Sequence, residues 1–166
     1  MNEPSKKLDQ DKAICPRCRQ PGRPVSAVTV EAMVTPATRE RLTSLAGLCF
    51  CATPECDVAY FNAVSSELVI QREVRVPIFQ KSTDPHRLVC YCFGHTAEAV
   101  QSEVRATGTS NILKDIKAKC AQGLDACERN NPQGACCLGK VQRLIREAGT
   151  STAPPAAEGC CGCGAD

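Results

Sequence analysis

Thiols arriving from two separate loops constrain this chain more than any other feature. Cys90 and Cys92 form a Cys-x-Cys pair, and after 34 intervening residues a second group opens at Cys127 and closes on the adjacent Cys136 and Cys137. Segments that read as helices lie between and after the two groups. A 2Fe-2S cluster needs this supply, two thiolates for each iron, and soft sulfur ligands select iron-sulfur, zinc or Cu(I) over hard cations.

Composition strengthens the argument for metal. Aromatic residues are 4% of the 166, Trp is absent and Cys numbers 14, so one large apolar core is not expected and cross-links must replace part of it. Residues 1 to 12 carry no apolar signal-like centre, and no apolar run is long enough for a membrane span. The expectation is a cytoplasmic protein without membrane insertion, in which Cys-x-x-Cys spacing favours metal over disulfide. A formal net charge of +2, from 20 basic and 18 acidic residues, gives no electrostatic reason for nucleic-acid binding.

After a polar lead-in, residues 1–12, the chain opens a candidate zinc knuckle at Cys15-Pro16-Arg17-Cys18, followed by a Pro- and Gly-containing turn. Thr29 is the expected cap of a short helix through Val34, and Thr35-Pro36 begins another through about Leu45. Residues 48–62 read as strand, turn, strand. Cys51 and Cys56 flank that turn, so Cys15, Cys18, Cys51 and Cys56 make the Cys-x2-Cys, Cys-x4-Cys set of a closed, structural zinc site. Cys49 shares a strand face with Cys51 and is the competing ligand; Cys51 is preferred because the turn carries it towards Cys56. Leu68 to Val76 predicts one or two further strands, and residues 77–85 a connecting loop. Residues 13–85 are thus expected to form a small zinc-nucleated unit of mixed structure.

Residues 86–149 read as a helical unit. Thr96 is placed to cap a helix through Ala106, Ser110 a second through about Cys120, and a third runs Leu138 to Ala148 before Gly149. Ile112, Ile116 and Cys120 fall on one stripe, which makes Cys120 a buried thiol rather than a ligand. Cys90 and Cys92 stand just ahead of a helix start, where free amides and the positive dipole end favour thiolates. Of the adjacent Cys136 and Cys137 only one is expected to ligate, and spacing alone does not choose. Residues 150–166 are a Ser, Thr, Ala and Pro linker ending in Cys160, Cys161 and Cys163, three thiols suited to Cu+ or another thiophilic ion such as mercury.

Cys15 to Cys18, Phe50 to Phe61, Val89 to Thr96 and Cys127 to Gly139 together resemble, in the same order, the N-terminal domain of CopZ-type copper chaperones, whose helical half is similar to bacterioferritin-associated ferredoxin. The resemblance covers about residues 13 to 148. It implies an α+β chain with one Zn2+ and one 2Fe-2S cluster, and places the cluster ligands on Cys90, Cys92, Cys127 and Cys137. It also implies one-electron reduction of Cu(II) to Cu(I) for a chaperone domain or a metal-export ATPase, with an electron donor upstream. The family's copper-carrying domain has a Met-x-Cys-x-x-Cys loop, and that motif does not occur in this sequence.

The expectation is therefore a metal-binding electron-transfer or chaperone protein rather than a classical enzyme. The alternatives are a ferredoxin-like binding partner without copper carriage, or an accessory protein of mercury or other thiophilic metal resistance. His86 and His95 show no nucleophile-base arrangement, so hydrolytic and transferase chemistry has no support. His95, close to the cluster loop, is a candidate to tune a potential.

Overall fold

Residues 12–149 are described by a computed structural model, and the fold is α+β: a small antiparallel sheet with two short helices precedes a group of longer helices. The predicted tail thiols Cys160, Cys161 and Cys163 and nearly all of the lead-in lie outside the described residues.

Strands β1 (Arg23–Pro24), β2 (Cys49–Phe50), β3 (Val58–Phe61) and β4 (Leu68–Ile70) form an antiparallel meander in that order. A register shift between Val58 and Tyr60 bulges β3. The extra residue lets Val58 and Phe61, three apart, join the cysteines on one side while Ala59 and Tyr60 join the apolar core on the other. That core is built from Val30, Met33, Val34, Leu42, Leu48, Phe50, Ala59, Tyr60, Val69, Val74 and Ile78.

Helix α1 (Ala27–Met33) begins one turn earlier than its sequence suggests. Ser26 is the cap, its Oγ accepting from the Thr29 amide at 3.2 Å, and Thr29 is a fully buried residue within the helix. Helix α2 (Pro36–Arg41) starts at the expected Thr35-Pro36 but stops short of Leu45, because Leu42 turns extended and inserts its side chain into the core. The stretch 68–76 yields one strand. After β4 the chain makes a 3-10 turn at Gln71–Glu73, where Glu73 accepts from the Ile70 amide and from Arg41, and Val74 then bridges to Val34. The connecting loop 77–85 contains a second 3-10 turn, Phe79–Lys81.

The second half opens with a hairpin, β5 (Leu88–Cys90) and β6 (His95–Thr96), turned through Gly94 at a φ of 73°. Thr96 and Ser110 cap α3 (Ala97–Thr107) and α4 (Asn111–Ala121) as expected, with Gly108 ending α3 in the left-handed region. A four-residue helix that the sequence did not signal, α5 (Cys127–Asn130), precedes α6 (Leu138–Ala148). Helices α3, α4 and α6 bury Val89, Cys90, Val100, Ile116, Cys137, Leu138, Val141 and Leu144 between them, and the stripe Ile112, Ile116 and Cys120 faces this core. Among the described residues no helix is long and apolar enough to cross a membrane.

Candidate metal centres

The structure brings Cys15, Cys18, Cys51 and Cys56 together, all four Sγ atoms within 4.8 Å of one another. Cys15 and Cys18 come from a turn closed by Cys15 N to Gln20 O and Arg19 N to Cys15 O, both at 2.9 Å. Cys51 and Cys56 close the β2–β3 turn. Cys15 and Cys56 sulfurs are 3.9 Å apart, Cys18 and Cys51 3.6 Å. Sulfurs held about 2.3 Å from a tetrahedral zinc stand about 3.8 Å from one another, so the four fit one Zn2+ with no open position. Cys49, the competing ligand, is buried beside Val58 and Phe61 but remains outside this group of four.

The thiols are unequal. Burial raises Cys56 to about 12 and also raises Cys15. At Cys18 burial acts in the same direction but is outweighed by hydrogen bonds with the Thr53 hydroxyl, the Gln20 amide and the neighbouring thiols, and the group falls to about 6. Zinc binding must therefore displace protons from the buried thiols.

Lys81 completes the surroundings, and nothing in the sequence marked it. Its ammonium donates to Thr53 O at 2.6 Å and Cys56 O at 2.9 Å, and lies 3.9 Å from Cys51 Sγ. The Phe79–Lys81 turn is what carries it there. One cation beside four thiolates offsets part of the net negative charge of a zinc–thiolate centre, and its two carbonyl bonds pin the turn between Cys51 and Cys56. Asp57 pairs with Arg17 at 3.6 Å across the knuckle, an exposed contact of small energetic weight.

The second thiol group is more extended. Cys92 and Cys127 are 3.6 Å apart, and Cys90 interacts with Cys137. Cys137 holds Cys90 below its ordinary value and is itself raised by Cys90 and by burial. Likewise Cys127, with burial opposing, lowers Cys92 to about 6, helped by the Ala126 amide and Asn130. Cys127 is raised by Cys136 first and Cys92 second. The group thus divides into two thiol pairs, Cys90 with Cys137 and Cys92 with Cys127, and Cys136 hydrogen-bonds Cys127. Among the described residues the knuckle thiols are the one set of ligand atoms compact enough for a single ion.

The predicted sources of thiolate stabilisation differ from those observed. The first amides of α3 do not reach the sulfurs: Ala97 N donates to Arg87 O, Glu98 N to Pro85 O and Ala99 N to Thr96 Oγ1. The strand β6 intervenes between Cys92 and α3, which is why the dipole end sits elsewhere. Nor do amides of the turn between Cys127 and Cys137 reach the sulfurs: Gln133 N donates to Asn131 Oδ1 and Gly134 N to Asn131 O. Ala126 N, 3.4 Å from Cys92 Sγ, and the Cys92 and Phe93 amides at Cys90 act instead. His95 pairs with Cys90 across the hairpin backbone, and its Nε2 lies 3.4 Å from Asp115 Oδ2, facing α4.

Comparison with known proteins bears on both halves. Residues 12–75 match the zf_CopZ family, described as a zinc binding domain. The fold is similar to the X-ray structure of the Archaeoglobus fulgidus CopZ N-terminal domain, at 26% identity and a TM-score of 0.65, over 79% of this chain and 96% of that one. No curated protein matches the sequence.

Proposed function

We propose that this chain, whose residues 12–75 are a CopZ-type zinc-binding domain, is a two-centre metal-handling protein: a structural Zn2+ on Cys15, Cys18, Cys51 and Cys56, and a 2Fe-2S cluster on Cys90, Cys92, Cys127 and Cys137. The observation that carries the reading is the contrast in sulfur geometry. Four thiols gathered within 4.8 Å suit one ion, whereas two pairs, one of them 3.6 Å apart, suit two neighbouring tetrahedral metals. A bound cluster would supply a one-electron couple, and the use we assign to it is reduction of Cu(II) to Cu(I), or of another thiophilic ion's oxidised form, in export or resistance.

The chain's own residues support that role by what they hold in place. The β5–β6 hairpin sets Cys90 in the apolar core of α3, α4 and α6 and leaves Cys92 half-exposed. The Cys90–Cys137 pair is thus shielded, and in the Cys92–Cys127 pair Cys127 is buried while Cys92 is partly exposed, so an electron donor or an acceptor ion can approach at Cys92. Cys137, at the N-terminus of α6, is buried with Leu138 and Val141.

The test is electron delivery. Protein purified without oxygen and reduced should be reoxidised by one equivalent of Cu(II), with Cu(I) captured by a chromogenic chelator in step with the return of the visible bands. A reduced cluster that ignores Cu(II) removes the reductase role, and leaves the reading of a ferredoxin-like binding partner without copper carriage.

A further inference from the structure

The loop from Cys127 to Cys137 supplies two of the four thiols of the second centre, yet much of what fixes it comes from the zinc unit. Thr29 Oγ1 donates to the Glu128 carbonyl at 2.7 Å, across 99 residues of sequence. Tyr60 OH donates to the Pro132 carbonyl at 2.5 Å, across 72. Both donors are fully buried; the Tyr60 bond is buried at both ends and the Thr29 bond partly so.

Each donor is itself held. Ser26 Oγ accepts from the Thr29 amide and lies 3.2 Å from Thr29 Oγ1. Because the Thr29 proton is committed to Glu128, Ser26 is the donor in that second contact. Tyr60 stands in β3, immediately after the turn that bears Cys51 and Cys56, and packs on Phe50 with ring centroids 5.9 Å apart. Steric fit adds to the hydrogen bonds. A Cβ at Gly134 would stand 2.7 Å from Thr29 Oγ1, so the loop touches the threonine with no room for any other residue there.

We propose that Thr29 and Tyr60 are positioning residues for the second centre: the zinc unit is the seat that sets where Cys127 and Cys137 stand. The inference rests on the reading of those thiols as cluster ligands. A continuous path of bonded atoms then runs from the zinc turn through Cys56, β3 and the Tyr60 hydroxyl to the loop between Cys127 and Cys137.

The experiment compares the full chain with Thr29→Val, Thr29→Ser and Tyr60→Phe, purified without oxygen. Each valine or phenylalanine leaves the shape nearly unchanged and removes one hydroxyl. Thr29→Val and Tyr60→Phe are each expected to retain zinc, to lose the visible bands to chelator about 5 to 30 times faster, and to shift the electron paramagnetic resonance lines of the reduced cluster. Thr29→Ser, which keeps the donor, should restore both. Hydrogen exchange in residues 127–137 should rise in Thr29→Val and Tyr60→Phe and not in Thr29→Ser, a readout that needs no cluster. Wild-type release rates, lines and exchange in Thr29→Val and Tyr60→Phe would overturn the seat while leaving the cluster reading intact. A wild-type protein without iron would overturn the cluster reading itself, and unchanged exchange in the variants would then overturn the seat as well.

Discussion

The two halves collect their cysteines in opposite ways. In the first, two tight turns each present a pair of thiols at their own ends, and the sheet needs only to bring the turns face to face. In the second, a hairpin and a loop beyond 34 intervening residues each contribute thiols, and three helices and a neighbouring unit must hold them in register. A closed one-ion site can thus be written into short sequence motifs, whereas an extended site depends on packing. Both groups draw backbone amides onto their sulfurs and each has one partly exposed member, Cys18 and Cys92, but the first also has the Lys81 ammonium beside it.

The largest effect expected from breaking this contrast is at the knuckle. Cys15, Cys51 and Cys56 are themselves much of the local core, with Val58 and Phe61. Cys56→Ser should abolish zinc binding and unfold residues 12–75, with a Tm lower by roughly 15 °C or more, read by circular dichroism and metal analysis. The opposite result, a stable zinc-free sheet, would show that the apolar cluster around Tyr60 suffices.

In the extended group the sharpest comparison is between neighbours. Cys137→Ser should remove most of the iron, because Cys137 is buried against Cys90, whereas Cys136→Ser should keep it. Iron and sulfide analysis of the two variants decides between them, and a reversed outcome would exchange their roles.

Smaller effects sharpen the account of the zinc site. Lys81→Met should speed zinc transfer to a chelator by about tenfold without changing the stoichiometry, with Lys81→Arg intermediate. Zinc affinity should rise with pH, since the raised thiols of Cys15 and Cys56 carry protons that zinc must displace. Its slope should steepen below about pH 6, where Cys18 also becomes protonated and adds a competing proton. Competition titrations across that range check both. Least of all, Cys49→Ala should leave zinc binding intact and cost about 1 kcal/mol for the small cavity.

How much of this was legible in the sequence follows the same divide. The spacing of Cys15, Cys18, Cys51 and Cys56 pointed to a group that the turns then assemble, because each pair is joined by a short stretch whose geometry its own proline, Pro16 or Pro54, limits. Capping by Thr35, Thr96 and Ser110 was equally local and equally readable. What was hidden is non-local. Lys81 gave no signal because a lysine in a loop is ordinarily solvated; only the 3-10 turn at Phe79–Lys81 aims it at two carbonyls. The displacement of the α1 cap from Thr29 to Ser26 belongs to the same class: either hydroxyl could cap, and it is the carbonyl of Glu128, far along the chain, that claims Thr29. Helix α5 and the β5–β6 hairpin are too short to leave a periodic pattern.

The measurement that bears most directly on two unlike thiol groups is the metal and acid-labile sulfide content of the full chain purified without oxygen. The account predicts two irons, two sulfides and one zinc per chain, falling to zinc alone in Cys92→Ser. Zinc filling both groups, or iron bound without sulfide, would contradict it.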